Sequence, residues 1–193
     1  SRLYSAVRAC SDFCIELGIN VPTGKDSMSM KQKYKTGEVL SPGTVIISAT
    51  AEVSDVSKCV EPFFKKFNSN IYYIDMSSCV LNLGGSALMQ SNNKIGNKSN
   101  DILNAKYFKK VFNVIQKLIT DEKIYSGHDV SSGGLITTIL EMSFVSSGIG
   151  LELFLNEFDD NDLIKILFAE NHALVIEAEK TIESVSYTHP PSP

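Results

Sequence analysis

Two separated loops in this sequence combine the residue types that handle phosphate groups and a divalent cation. The first occupies residues 22–27 and reads Pro-Thr-Gly-Lys-Asp-Ser. A glycine lets backbone N–H groups approach an anion closely, a lysine supplies a point charge, and an aspartate can hold Mg²⁺. We therefore predict that a nucleotide or phosphorylated substrate binds at four residues of this loop: Gly24, Lys25, Asp26 and Ser27.

The second loop occupies residues 128–134 and reads His-Asp-Val-Ser-Ser-Gly-Gly. A helix that starts at Gly134 would aim free N–H groups at an anion near Ser131. Mg²⁺ keeps several waters and takes few protein ligands, so a carboxylate beside a phosphate is its usual holder. Asp129 is therefore the best candidate for a metal ligand, with helix capping as the alternative. Three interpretations stay open for His128: a proton shuttle, a phosphate-binding side chain or a structural residue.

Each residue of the first loop also has a simpler interpretation. Lys25 can be a surface lysine, Asp26 a turn former or lysine partner, and Ser27 a side chain that satisfies the turn. A P-loop is excluded, because that motif needs a glycine five residues before the Gly-Lys pair and a serine or threonine after it. Here Ile19 and Asp26 stand at those positions. No nucleophile and histidine occur at a recognisable spacing, so we assign no catalytic residue.

Composition and charge narrow the possible functions. The chain has 193 residues, 43% hydrophobic and 21% charged, which are ordinary globular values. Its net charge of −4 argues against binding to nucleic acid or to an anionic membrane. We expect no signal peptide and no membrane span. The four cysteines lack the histidines and spacing of a zinc site, so we expect free thiols in a reducing cytoplasm: Cys10, Cys14, Cys59 and Cys79.

The periodicity of apolar residues predicts the helices that must position these loops. Helical spacing occurs over residues 3–17, 104–119, 134–144 and 159–168. Gly18 is expected to end the first of these helices. Ser131 or Ser132 is expected to cap the third, and Gly148 to end it.

Alternating or continuous apolar residues predict the strands. They occur over residues 19–21, 44–53, 71–76, 149–155 and 173–178, and a further strand begins at Lys123. The alternation is clearest over residues 44–53, and a strand after the first loop is expected to continue through Met30 and Gln32. Strands and helices follow one another along the chain, which indicates an α/β or α+β layered domain.

Turn formers and polar segments indicate where the chain divides. Residues 33–42 and 91–100 are polar and lack apolar periodicity, so both are predicted to be connections. We place a subdomain boundary in the first of them, which gives a short segment over residues 1–41 and an α/β subdomain over residues 42–185. The proline-rich residues 186–193 are expected to be disordered or non-native.

Several of these segments together resemble the phosphoribosylformylglycinamidine synthase family of purine biosynthesis, in its large single-chain form. The most specific match is residues 9–31, where Leu-Gly-Ile and a proline precede Gly-Lys-Asp-Ser-Met-Ser-Met-Lys. The resemblance continues in order through segments 41–56, 83–88, 128–135 and 168–171. One departure is His172, which stands where a glycine is expected.

The resemblance implies a fold and an activity. The fold is α/β (α+β), a layered domain of the aminoimidazole ribonucleotide synthetase-like C-terminal type, preceded by the end of the matching N-terminal-type subdomain. The activity is the ATP- and glutamine-dependent conversion of formylglycinamide ribonucleotide to formylglycinamidine ribonucleotide. In this family the loop from Gly24 to Ser27 would face the catalytic ATP and the substrate phosphate. Asp129 would hold the Mg²⁺ of an auxiliary ATP or ADP, and Ser131 would contact that nucleotide.

The resemblance also implies partners that this sequence does not contain. These are the remainder of the synthase core and a glutaminase domain, so the chain alone is expected to be inactive. Two alternatives stay open at this point. One is another member of the same ATP-binding superfamily, aminoimidazole ribonucleotide synthetase-like or selenophosphate synthetase-like, although those families carry different loops at residues 24–30. The other is a nucleotide-binding module without chemistry.

Overall fold

The computed structural model describes residues 2–27, 30–66, 68–146, 148 and 150–179. Contacts divide the chain into two compact units, Ser1–Ser54 and Asp55–Pro193. The predicted boundary between residues 41 and 42 concerns subdomains rather than compact units, and it stays a prediction. The predicted tail over residues 186–193 lies outside the described residues.

The first unit contains one helix and one hairpin. Helix α1 spans Arg2–Leu17, and Gly18 ends it in the left-handed conformation with φ 76°, as predicted. Strands β1 (Lys31–Tyr34) and β2 (Gly37–Leu40) form an antiparallel pair. The polar segment 33–42, predicted to be a connection, therefore contains the end of β1, the turn and all of β2.

Two strands predicted in the first unit are absent from its described residues. Residues 19–21 and 44–53 have no regular secondary structure and are exposed, with Val45 60% and Ile47 66% accessible. The alternation in segment 44–53 is real, but a strand also needs a neighbour that completes its backbone hydrogen bonds. Segment 44–53 has no such neighbour among the described residues of this chain.

A three-stranded sheet organises the second unit. Its strands are β3 (Asn70–Asp75), β4 (Ile124–Asp129) and β5 (Ala173–Ala178), in the order β3-β5-β4. The central strand β5 is antiparallel to both neighbours. These are the strands predicted at residues 71–76, from Lys123 and at 173–178. The last strand in the sequence thus lies between the two earlier ones.

Helices cover both faces of this sheet. On one face α3 (Ala105–Thr120) places Val111 and Ile115 against Ile176 of β5. On the other face α4 (Gly134–Phe144) places Met142 against Val175. Because Val175 and Ile176 are consecutive in a strand, they point to opposite faces and serve the two cores. The predicted α/β (α+β) layered domain is confirmed.

Two short helices complete the second unit. Helix α2 spans Ala87–Ser91, and helix α5 spans Leu163–Phe168 and packs with α4. Helix α5 begins later than predicted, because the Asp162 carboxylate accepts a hydrogen bond from the backbone N–H of Ile164 (2.9 Å) and so caps the helix there. Each helix within the described ranges is too short or too polar to cross a lipid bilayer.

Three local predictions around α4 and after it are wrong. The residue that caps α4 is Gly133, with no side-chain hydrogen bond, rather than Ser131 or Ser132. The helix ends at Phe144, as its predicted range has it, so Gly148 is not the residue that ends it. Residues 150–154 of the predicted strand have no regular structure, and a 3-10 turn follows at Leu155–Glu157. Among the described residues no strand pairs with this segment, so alternation alone did not produce a strand.

Candidate functional site

One edge of the three-stranded sheet carries the second loop that the sequence singled out, residues 128–134. Strands β3 and β4 both run antiparallel to β5, so they are parallel to each other. Their C-terminal ends therefore lie side by side at one end of the sheet, which we call the sheet edge. Asp75, the last residue of β3, pairs with Ala173, and Asp129, the last residue of β4, pairs with Leu174. The loops that follow β3 and β4 therefore meet the segment that leads into β5.

Asp129 presents its side chain to solvent from a fixed backbone. The N–H of the next residue, Val130, donates to the Ala173 carbonyl at 2.9 Å, and the Thr138 hydroxyl donates to the Asp129 carbonyl at 3.3 Å. The Asp129 side chain is 71% exposed. It does not cap α4, whose cap is Gly133, so the capping alternative is wrong. An exposed carboxylate on a held backbone suits a cation that is otherwise coordinated by water and phosphate.

His128 bridges this strand end to helix α4. Its Nε2 lies 3.2 Å from the Glu141 carboxylate, and its Nδ1 lies 2.8 Å from the Asp129 carbonyl oxygen. A carbonyl oxygen can only accept, so Nδ1 carries the proton of that bond. The ring is 20% exposed and is fixed from both sides, which supports the structural interpretation of His128 over a proton shuttle.

The glycine pair after Ser131 is required by packing. Gly133 and Gly134 have φ of 93° and 73°, which side chains rarely adopt. A Cβ on Gly134 would lie 2.7 Å from the backbone carbon of Phe168 at the end of α5. The Gly134 N–H donates to the Ser131 carbonyl at 3.0 Å, while the Ser131 side chain remains exposed. Ser131 thus keeps its hydroxyl accessible on a closely packed turn.

Glu170 occupies the position that the sequence predicted for a bound anion. One of its carboxylate oxygens accepts the N–H of Gly133 at 2.8 Å and the N–H of Ala87, the first residue of α2, at 2.7 Å. The expectation that the start of α4 offers free N–H groups near Ser131 is therefore wrong for Gly133 and Gly134. The protein satisfies the first with its own carboxylate and the second within the turn. Sequence analysis placed Glu170 in a matching motif but gave no signal of these long-range contacts.

The Gly84-Gly85 pair joins two loops through backbone hydrogen bonds. The N–H of Gly84 donates to the Lys98 carbonyl at 2.7 Å, and that of Gly85 donates to the Ile95 carbonyl at 2.7 Å. A Cβ on Gly84 would lie 2.0 Å from the Lys98 carbonyl oxygen. The segment 91–100, predicted to be a solvated connection, is exposed but firmly attached at this point.

Asn171 and Asp75 tie together the segments beside Glu170. The Asn171 side-chain amide is buried and donates to the Cys79 carbonyl at 3.0 Å. The Asp75 carboxylate accepts from the N–H of Ser77 and of Ser78, each at 3.0 Å. The loop after β3 is thereby joined to the segment before β5. Sequence analysis assigned no role to either side chain.

The first predicted loop lies in the first unit. Gly24, Lys25, Asp26 and Ser27 are all exposed, and the Lys25 ammonium donates to the Ser27 hydroxyl. A Cβ on Gly24 would meet nothing within 4 Å. Packing within the described chain therefore does not require this glycine, which leaves close approach to a ligand as its possible use.

The described residues could hold Mg²⁺ only if water molecules and phosphate oxygens supplied most of its ligands. Among the described residues no group of three or more His, Cys, Asp or Glu side chains converges on a metal position. Asp129 would supply a single carboxylate, which is a donor that Mg²⁺ accepts alongside phosphate oxygens. All four cysteines are free.

Comparison with known proteins finds matches to two domain models and to named relatives. Residues 1–52 match the model of the FGAR-AT PurM_N-like domain, and residues 71–183 match that of the AIR synthase related protein, C-terminal domain. The chain is 40% identical over 94% of its length to "Probable phosphoribosylformylglycinamidine synthase, chloroplastic/mitochondrial" of Arabidopsis thaliana. It is 37% identical over 95% of its length to "Phosphoribosylformylglycinamidine synthase" of Dictyostelium discoideum.

The chain spans 13% and 14% of the length of these two relatives. The matches agree in order with the two units: the N-terminal-type match falls in the first and the C-terminal-type match in the second. The resemblance seen in the sequence is confirmed. The chain therefore belongs to the AIR synthase related family through its C-terminal-domain match, and it is a homologue of proteins named phosphoribosylformylglycinamidine synthase.

Proposed function

We propose that this chain is part of the synthase core of a phosphoribosylformylglycinamidine synthase. The whole enzyme would convert formylglycinamide ribonucleotide to formylglycinamidine ribonucleotide with ATP and glutamine. The observation that carries the proposal is the exposed side chain of Asp129, the last residue of β4, at the sheet edge. It stands in a chain whose relatives bear that enzyme's name. We assign no catalytic residue to this part of the enzyme, and propose that it contributes positioning and charge neutralisation.

Asp129 would hold the Mg²⁺ of a bound ATP or ADP, and Ser131 would contact the nucleotide. The bound ion would neutralise phosphate charge, which a protein carboxylate alone cannot do. The 71% exposure of Asp129 and the accessible hydroxyl of Ser131 support these roles. Glu170 adds a restriction: because it already accepts the Gly133 N–H, phosphate would be held from the Asp129 and Ser131 side of the loop.

The first loop would face the catalytic nucleotide and the substrate phosphate. Gly24 would allow close approach of the backbone, and Lys25 with Ser27 would supply donors to phosphate oxygens. Asp26 would orient Lys25 or a metal ion. Open space around Gly24 and the existing Lys25–Ser27 hydrogen bond support this role, since both donors already converge.

The chain would act together with the remainder of the synthase core and a glutaminase domain that supplies ammonia. Free cysteines throughout the described chain support a reducing compartment, and we propose the cytoplasm. The match to the AIR synthase related family alone would also suit another member of the superfamily. The names of both relatives favour the synthase over that alternative and over a module without chemistry.

The test uses the full-length protein that contains this chain. Titration calorimetry would measure retention of Mg-ADP in the wild type, in Asp129→Asn and in the matched control Glu152→Gln, an exposed acid elsewhere in the second unit. We expect weaker retention only in Asp129→Asn. Equal retention in all three proteins would contradict the metal role. If the folded full-length wild type forms no formylglycinamidine ribonucleotide from its substrate with ATP and glutamine, the synthase assignment is contradicted.

A further inference from the structure

A shallow cavity of about 670 Å³, broadly open to solvent, lies beside the Leu83-Gly84 turn, apart from the Asp129 loop. Its lining carries three lysines: Lys94, Lys98 and Lys165. No carboxylate belongs to the lining residues in the described part of the chain. A volume of this size is in the range of small-molecule sites.

The walls of this cavity are held in place before any ligand arrives. The Asn82 N–H donates to the Asn100 side chain at 3.0 Å, and the Asn100 amide donates back to the Asn82 carbonyl at 3.0 Å. A Cβ on Gly96 would lie 2.9 Å from the Gly84 Cα, so the two turns touch through their backbones. With the hydrogen bond from Gly84 to Lys98, these contacts fix the segment that carries Lys94 and Lys98.

The lysines are largely available to a ligand. Within the described ranges, Lys94 and Lys98 have no carboxylate at ion-pair distance, and Lys165 has one partner, Asp160, at 3.4 Å. Like charges around one cavity raise the local potential and attract a compact anion. Lysine ammonium groups suit phosphate as point charges. The side chains of Leu83 and Met89 add an apolar surface to the same cavity.

We propose that this cavity binds a small molecule that carries a phosphate group and an apolar or aromatic body. The phosphate lies among Lys94, Lys98 and Lys165, and the body lies on Leu83 and Met89. The site is separate from the proposed nucleotide site, because Asp129 and Ser131 are not among its lining residues. The inference therefore stands or falls independently of the synthase assignment.

Lysine acylation in the full-length protein tests the proposal at single residues. An amine-reactive acetyl ester would label the protein in chloride, in inorganic phosphate and in adenosine monophosphate at equal ionic strength, with rates read by mass spectrometry. At about two-thirds occupancy, labelling of Lys94, Lys98 and Lys165 would slow about threefold, because only the free protein reacts. Lys109, exposed on α3, is the internal control and should be unaffected.

Three outcomes would overturn the site. Equal labelling rates at the cavity lysines and at Lys109 would show that the ammonium groups only face solvent. Equal half-maximal concentrations of phosphate and adenosine monophosphate would rule out a contribution from the apolar surface. Loss of protection in Asp129→Asn would show that the effect arises at the nucleotide site. We expect instead that protection persists in Asp129→Asn and that Lys94→Gln with Lys98→Gln abolishes the protection of Lys165.

Discussion

A carboxylate oxygen of Glu170 lies 2.8 Å from the backbone nitrogen of Gly133, at the start of the helix that follows Asp129. The same oxygen accepts the N–H of Ala87 at 2.7 Å. Two loops that are distant in sequence are thus joined through a single acceptor atom. A helix start stabilises negative charge, and here the protein supplies that charge itself. Glu170 is therefore a positioning residue for the Asp129 loop.

Substitution Glu170→Ala should loosen both loops at once. Two N–H groups lose a charged acceptor, at a cost of about 1–3 kcal/mol for partly buried donors. Hydrogen exchange of the amides at Ala87 and Gly133 should accelerate by about tenfold or more, since each 1.4 kcal/mol is a factor of ten. Glu170→Gln, which keeps an acceptor oxygen, should have a smaller effect, and Glu152→Ala should have none. Unchanged exchange in Glu170→Ala would contradict the role.

Substitution Gly134→Ala should be strongly destabilising. The added Cβ would lie 2.7 Å from the Phe168 backbone, and the φ of 73° is itself unfavourable for alanine. We expect a loss of about 2 kcal/mol or more, because backbone strain and steric overlap add. Thermal denaturation would show a lower midpoint than Gly150→Ala, a control position where a Cβ meets nothing within 4 Å. Equal midpoints for the two variants would argue against the tight contact.

The buried carboxylate of Glu177 should make part of the fold sensitive to acid. Burial by itself raises the pKa of Glu177, but hydrogen bonds from Ser69, from the N–H groups of Lys65 and Lys66, and from Ser126 outweigh it and hold the pKa below its ordinary value of 4.5. A folded pKa below the unfolded one means that the ionised group stabilises the fold above about pH 4.5. That stabilisation is lost as the pH falls through the folded pKa.

Protection factors of the Lys65 and Lys66 amides would measure this effect. Their N–H groups donate to Glu177 at 2.8 and 2.9 Å. In the wild type, protection should stay constant from neutral pH down to about pH 4.5 and fall as the pH is lowered further. In Glu177→Gln it should be lower at neutral pH and nearly independent of pH. A wild-type protection that stays constant down to acid pH would refute the prediction.

Substitution Lys25→Ala should impair turnover of the full-length protein. If Lys25 contacts phosphate in the transition state, ammonia-dependent kcat/KM should fall about tenfold or more, equivalent to about 1.4 kcal/mol. The matched control is Lys35→Ala, an exposed lysine in the turn of the β1–β2 hairpin. A loss within about twofold of wild type would assign Lys25 to the surface.

The sequence predicted the central elements of the second unit because burial imposes periodicity on them. Strand β5 and helix α4 match the predicted ranges 173–178 and 134–144 residue for residue. Segment 44–53 has equally clear alternation yet forms no strand, since pairing depends on a neighbour that periodicity cannot supply. A pattern within one segment reports how that segment would be buried, not what it packs against.

The candidate site shows the same difference between local properties, which the sequence reveals, and long-range contacts, which it does not. Asp129 could be proposed from the sequence because its residue type and its place at a strand end are local properties. Glu170 was missed because its two partners lie 83 and 37 residues away, and only the sheet topology brings them together. The sequence shows where the glycines stand but not why: Gly84 and Gly134 leave room for the backbones of Lys98 and Phe168, contacts that no spacing in the sequence reveals.

The strand order β3-β5-β4 also constrains how this protein is made. During translation, the first two strands of the sheet emerge from the ribosome before the strand that lies between them. Neither can gain its ladder of hydrogen bonds until the nascent chain has extended past Ala178. The edge that carries Asp129 is consequently assembled in one late step. A polypeptide truncated before β5 would contain the residues of β3 and β4 but could not form this sheet.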